Sequence, residues 1–394
     1  MPRWSFRLFR CALVLAAFAS PVAFAQDRAE TLRAGWAAYD AGDHRAAYRV
    51  LLPLAEAGDK YAQFAVGDML LAGRGPVRDV PRAMAMHRKA AEQGLPGAQE
   101  RIGAAHYFGN GAEKNATLAA QWFTRAAHNG LAQAQSNLAV LYLAGDGVPR
   151  DPQAALFWLR EAMRQDDSNA YNAYAGLLME GRVVPRDVPQ ALANFQRAAD
   201  AGVATAPSNL GSIYRDGDGV AQDLAAARRW FERGAALNEP RSLNNLGLLY
   251  LDGRGVTADA ARAANYFRQA ARRSNADAEF NLASMYLYGR GIPADRAAAQ
   301  FWLALAAAHG SELAKAHLLV FAQAADATPD AVRFAPAYFN DLAAGGTPAT
   351  QFLLGELYGN GMIVPANRVE ERRWFDLAAR QGDARAAERL KTLR

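Results

Sequence analysis

Thr205-Ala206-Pro207-Ser208-Asn209-Leu210-Gly211 opens a stretch that runs through Gly217, Gly219-Val220 and Asp223 to Trp230-Phe231, and the same order of residue types returns every 36 positions. Stepping by 36 gives Gly67, Gly103, Ala139, Ala175, Gly211, Gly247, Ala283, Leu319 and Gly355, small everywhere except Leu319. A second column reads Trp122, Trp158, Asn194, Trp230, Tyr266, Trp302, Tyr338 and Trp374. The position after it reads Phe123, Leu159, Phe195, Phe231, Phe267, Leu303, Phe339 and Phe375. A period between roughly 20 and 50 residues marks a solenoid, in which no unit can bury its apolar face alone and each borrows its core from its neighbours.

The unit from Ala134 to Asn169 shows the local grammar. Ala134, Leu138, Ala139 and Tyr142 share one face of a helix. Gly145 and Gly147 end that helix, because glycine accepts the positive φ of a helix C-terminus. Asp151-Pro152 is an N-cap followed by proline at the first helical position. Ala155, Trp158, Leu159, Ala162 and Met163 then form a second apolar face. Each unit is therefore a helical hairpin, with helices A and B. The cap recurs as Asp79, Asn115, Asp151, Asp187, Asp223, Asp259, Asp295 and Asn367. The predicted fold is all-α, an α/α superhelical solenoid.

The pattern Ala-x-x-x-Leu-Gly-x-x-Tyr-x-x-Gly-x-Gly-Val, then Asp, then Ala-x-x-Trp-Phe-x-x-Ala-Ala, resembles the Sel-1-like repeat, a tetratricopeptide-related hairpin with a longer inter-helix loop. It is clearest in residues 206–238 and in 242–272, where it reads Asn245-Leu246-Gly247, Gly253, Gly255-Val256, Asp259 and Tyr266-Phe267. Nine such units are expected over residues 62–385, with 314–349 degenerate because it lacks the Gly-x-Gly loop and carries Pro329 and Pro336. Residues 26–61, with only 16 residues from Gly42 to Gly58 against 21 from Gly73 to Gly94, read as a shorter tetratricopeptide-like N-terminal cap. The tail from Ala384 to Leu393 reads as a polar-faced helix, with residues 386–394 capping the array.

The first 25 residues stand outside the repeat. Arg3, Arg7 and Arg10 flank an apolar run from Cys11, and Ala23-Phe24-Ala25 forms an A-x-A site before Gln26, the signature of a secretory signal cleaved after Ala25. No later stretch approaches the length of a membrane span. Cleavage removes three arginines and no acidic residue, so the formal charge of +5 falls to +2, which excludes a strongly basic nucleic-acid surface. It also removes Cys11, the only cysteine, so an exported chain would be held by packing without disulfides. The expectation is a periplasmic or secreted monomer without a membrane span.

Chemistry-bearing motifs are missing. The glycine pairs, such as Gly217-Asp218-Gly219, lack the lysine of a phosphate loop and read as turns. Of the histidines His44, His87, His106, His128, His309 and His317, His87 and His106 fill the Phe and Tyr columns and read as core, with no zinc motif around them. No nucleophile motif is present, so no catalytic, cofactor-binding or metal-binding residue is expected. The aromatic columns read as core.

One polar column remains. Asn137, Asn209, Asn245 and Asn281 directly precede the Leu of helix A, and Asn172 and Asn244 sit one position earlier. In the tetratricopeptide hairpins that the repeat resembles, this position lines a concave groove that contacts peptides. A carboxamide can both donate to and accept from an extended backbone. The alternative is that these side chains lock neighbouring helices together. The resemblance further implies an adaptor in envelope signalling, a restraint on a sensor kinase, or a component of surface-polysaccharide export, each with a protein or peptide partner in the cell envelope. A cysteine-rich branch of the family is similar to penicillin-binding or β-lactamase enzymes, but the chain lacks the paired cysteines of that branch.

Overall fold

The computed structural model describes residues 21–315, 317, 348–360 and 366–393. The signal-like residues 1–20 and nearly all of the degenerate unit 314–349 lie outside the described residues, Leu319, Tyr338 and Phe339 among them. The chain divides into two compact units, residues 1–130 and 131–394. The first holds α1 (Pro21–Asp40), α2 (His44–Glu56), α3 (Lys60–Ala72), α4 (Val80–Glu92), α5 (Pro96–Phe108) and α6 (Ala116–His128). The second begins with α7 (Ala132–Ala144), α8 (Pro152–Met163), α9 (Ser168–Glu180), α10 (Val188–Asp200), α11 (Thr205–Asp216) and α12 (Leu224–Ala236). It continues with α13 (Pro240–Asp252), α14 (Ala260–Ala271), α15 (Ala276–Tyr288), α16 (Arg296–Ala308), α17 (Pro348–Asn360), α18 (Arg368–Arg380) and α19 (Ala384–Thr392). Within each unit consecutive helices pair as hairpins, the all-α solenoid that the periodicity predicts.

Every B helix from α4 to α16, and α18, starts at its expected cap. Asp223, for example, accepts from the backbone N–H of Ala226 at 2.8 Å. The cap residue has a second task. Its own N–H reaches back nine residues to the end of helix A, Asp259 N to Tyr250 O at 2.8 Å and Asp223 N to Tyr214 O at 2.9 Å, so the same residue starts helix B and closes the loop. Gly253 makes the turn possible from the other side, ending α13 at φ 68° with its N–H on Leu249 O. The N-terminal hairpin is joined by only Ala41–Asp43, and Asp43 caps α2.

Packing inside a hairpin is set by the small column meeting the column after the tryptophan. A Cβ at Gly211 would lie 2.4 Å from Phe231 Cε1, and one at Gly247 2.5 Å from Phe267 Cε1. Gly103 faces Phe123 and Gly355 faces Phe375 in the same way. Phe231, Phe267 and Phe375 are fully buried. The Trp column is core at two positions and packs against the core from its edge at four others. Trp302 and Trp374 are buried, but Trp122, Trp158, Trp230 and Tyr266 are only half-buried. The two columns lie about 100° apart around a helix, so when one points at helix A the other falls at the boundary.

Candidate interaction site

The asparagine column is assembled by the second turn of the A helices in the second unit. Asn137, Asn172, Asn209, Asn245 and Asn281 are half-buried, whereas Asn244 is buried. The structure brings several of them together in pairs that bridge adjacent hairpins. Asn209 Nδ2 donates to Asn172 Oδ1 at 3.1 Å, and Asn281 Nδ2 donates to Asn244 Oδ1 at 2.9 Å. Asn172 Nδ2 reaches Thr205 Oγ1 at 3.3 Å in turn. Arg215 donates to Asn245 Oδ1 at 2.9 Å and Arg241 to Asn209 Oδ1 at 3.3 Å. Asn137 Oδ1 accepts from Gln133 at 3.2 Å within its own helix. Asn244, proposed from sequence as an extension of the stripe, is placed as an interlock, because burial leaves it facing Asn281.

The interlocks do not exhaust the column. A carboxamide carries two N–H donors and an oxygen with two lone pairs. The bonds above use one donor of Asn281, one donor and the oxygen of Asn172 and of Asn209, and the oxygens of Asn137 and Asn245. The stripe is thus a fixed row of oriented amide groups, held in place by its own cross-links, with N–H capacity remaining on Asn209, Asn245 and Asn281.

A second polar column escaped the sequence reading. Gln63, Gln99, Gln135, Glu279 and Gln351 are buried at a spacing of 36 or its multiples, and each meets a residue 30 positions later. Gln93 donates to Gln63 at 2.8 Å, Asn129 to Gln99 at 3.1 Å, Gln165 to Gln135 at 3.1 Å and Gln381 to Gln351 at 2.9 Å. In the first unit the buried amide also donates eight residues back, Gln63 to Ala55 O and Gln99 to Ala91 O. Tyr171 takes over that donor role through its hydroxyl, bonded to Met163 O at 3.2 Å. The regular recurrence of glutamine was the available signal, overlooked because glutamine is ordinarily a surface residue.

Glu279 and His309 fill this column with a titratable pair. His309 Nδ1 lies 2.9 Å from both carboxylate oxygens of Glu279, which is fully buried. Burial pushes the Glu279 carboxyl above its ordinary value, and the hydrogen bond and charge of His309 only partly oppose this. His87 and His106 are buried at their core positions, His87 edge-on to Phe64 and His106 Nδ1 2.9 Å from Glu113 O. Among the described residues no three His, Cys, Asp or Glu side chains gather as a metal-binding group. No described helix is long and apolar enough to cross a membrane.

Stacked helical hairpins with capped B helices and a polar stripe on the A helices define an α-solenoid repeat protein. The chain belongs to the Sel1 repeat family, whose sequence model matches residues 60–95, 96–131, 132–167, 168–203, 207–239, 240–275, 276–311 and 348–383. It is similar to the Sel1 repeat protein from Oxalobacter formigenes, with 32% identity over 61% of this chain and 97% of that one and a TM-score of 0.51. It is also similar to c5321, a protective antigen present in uropathogenic Escherichia coli strains that displays an SLR fold, with 27% identity over 87% of this chain and 81% of that one and a TM-score of 0.40. No curated protein matches the chain. Sel1 repeats build scaffolds for protein interaction, and that general role is the one the fold assigns here.

Proposed function

We propose that the protein is a periplasmic, non-enzymatic adaptor that holds a protein segment along the A-helix stripe of Asn137, Asn172, Asn209, Asn245 and Asn281. The observation that carries this reading is the row of half-buried carboxamides, each oriented by a neighbour and each able to pair with an extended backbone. Because the interlocks order these side chains before binding, little rotamer entropy is left to lose when a partner arrives. Export is supported by Arg3, Arg7, Arg10, the apolar run from Cys11 and the Ala23-Phe24-Ala25 site. An envelope partner in signalling or in surface-polysaccharide export follows from that location together with the family's scaffold role.

The test is site-specific photo-cross-linking in cells. A cross-linker at Asn245 is expected to capture one envelope protein that a cross-linker at Arg229, exposed on α12, does not. Equal capture from both positions, or none from either, would remove the stripe as the binding face. Fractionation of the same cells tests location, and recovery with cytoplasmic markers would overturn the periplasmic part. The variant carrying alanine at Asn137, Asn209, Asn245 and Asn281 needs its melting temperature measured alongside, since it also loses the Asn209 and Asn281 interlocks, worth about 1 kcal/mol each.

A further inference from the structure

The hairpin of α13 and α14 carries a pocket that the repeat does not require. Its volume is about 480 Å³, and it opens where the loop from Gly255 to Asp259 meets α12 of the preceding hairpin. Two arginines line it, Arg228 from α12 and Arg262 from the first turn of α14, together with Tyr250 and Thr257. Arginine returns once in each column, as Arg372 in that of Arg228 and as Arg82 in that of Arg262, but Arg82 has Tyr48 where Arg262 has Arg228, 34 residues earlier. One period to either side of Arg228 stand Leu192 and Ala264, and one period to either side of Arg262 stand Ala226 and Ala298. The adjoining hairpins pack with apolar residues at both positions, so the hairpin does not require a cation at either.

Arg262 is held by aromatic stacking, and Arg228 carries a buried donor without a hydrogen-bond acceptor among the described residues. Arg262 lies over the Tyr250 ring with Cζ 4.3 Å from its centroid, and Tyr266 lies beyond at 5.9 Å. Stacking on aromatic faces fixes the plane of a guanidinium while leaving its edge N–H groups available. Arg228 Nε is buried with no hydrogen-bond acceptor among the described residues. Glu232 Oε1 forms a long i,i+4 ion pair with Nη1 at 3.9 Å, beyond hydrogen-bond distance. The pocket's own carboxylate, Asp259, is committed to the Arg262 backbone N–H at 2.9 Å. A buried donor left unpaired is costly, and an anionic acceptor in the pocket would satisfy it.

We propose that this pocket binds an oxyanion, a carboxylate or phosphate group clamped between Arg228 and Arg262, with the Thr257 hydroxyl as a further donor. Arginine suits that role because its planar fork presents paired N–H groups that match two oxygens of one ligand. The site lies at the loop end of the hairpin and does not depend on the asparagine stripe being the partner-binding face. The ligand group would reach it either free in solution or on the side chain or terminus of a bound protein.

The experiment is isothermal titration of the full-length protein with inorganic phosphate and, separately, with acetate, at matched ionic strength. The repeat's own residues supply the variants, Arg228→Leu and Arg262→Ala, whose folding is checked by circular dichroism. Saturable binding of either anion, weakened at least tenfold in each variant, supports the site, and the anion that binds more tightly separates a phosphate source from a carboxylate one. Arg228→Lys and Arg262→Lys are expected to fall between, retaining charge without the fork. Equal binding by wild type and variants, or no saturable binding of either anion, would overturn the proposal. Should a leucine or alanine variant fail to fold, the lysine variants decide, because unchanged affinity in both would count against the clamp.

Discussion

Gly247 lies directly beneath Phe267, so that a Cβ at 247 would stand 2.5 Å from Cε1 and 2.7 Å from Cδ1 of the ring. The close approach of α13 to α14 depends on that missing methyl. Where the small column holds Ala139 or Ala283, the residue 20 positions later is Leu159 or Leu303, narrower than phenylalanine, whereas Ala175 is accommodated beside Phe195. Gly247→Ala gains up to about 1 kcal/mol in helix propensity and loses about 1–3 kcal/mol to overpacking. A net fall in the urea midpoint is expected. Adding Phe267→Leu should recover part of the loss, since it rebuilds a native pairing, and simple additivity of the two single changes would refute the coupling.

The Glu279–His309 pair predicts a pH signature. With its folded-state pKa raised by burial, the Glu279 carboxyl contributes stability that is full below its unfolded pKa and lost as pH rises through the folded pKa. Glu279→Gln installs the residue that Gln135 and Gln351 already place in this column. It should leave the melting temperature nearly unchanged near pH 4 and raise it by a few degrees at pH 8. The same difference at both pH values would show that ionisation of Glu279 is not responsible.

Backbone strain is concentrated in one column. Gly94, Gly130, Gly202, Gly310 and Gly382 adopt positive φ there, and Asp166, Asn238 and Ser274 occupy the equivalent position at φ 60°, 59° and 57°. Asp166 and Asn238 use their side chains, on Tyr171 and Arg197 in one case and on Arg273 in the other, and Ser274 is not without a partner either. Left-handed backbone costs a non-glycine residue about 1–2 kcal/mol, part of which glycine forfeits in unfolded-chain entropy. Ser274→Gly is therefore expected to stabilise by up to about 1 kcal/mol, read as a higher urea midpoint, and a lower midpoint would contradict this reading.

Helix capping offers a local test. Asp223→Ala removes the acceptor for Ala226 N and should cost about 1 kcal/mol. Amide exchange should quicken first in the opening turn of α12. Uniform acceleration along the second unit, with no excess at that turn, would mean that the cap is not local in effect.

The period, the B-helix caps and the loop glycines were readable from the chain because each is written in a fixed local order, Gly253 ending one helix and Asp259 starting the next. The caps of the A helices were not read. They are Asp59, Asp167, Glu239, Asn275 and Asp383, while Leu95 and Leu131 stand at the same position without a side-chain acceptor. A column that mixes acceptors with leucine carries no sequence signature. The asparagine stripe was visible as a column, but which of its members cross-link adjacent hairpins was not.

What the sequence determined by itself is the one-dimensional part of the structure: a 36-residue hairpin, its capped helices, and the small and aromatic columns to which Gly247 and Phe267 belong. In a solenoid each hairpin packs mainly on its neighbours, so contacts recur at fixed separations along the chain. Only the tertiary structure decided which polar side chains meet, joining Gln135 to Gln165, Asn209 to Asn172 and Glu279 to His309, and bringing Arg228 and Arg262 to one pocket. Such meetings depend on ångström-scale distances and angles between helices of adjoining hairpins, and a hydrogen bond that weakens within a few tenths of an ångström is not specified by periodicity alone.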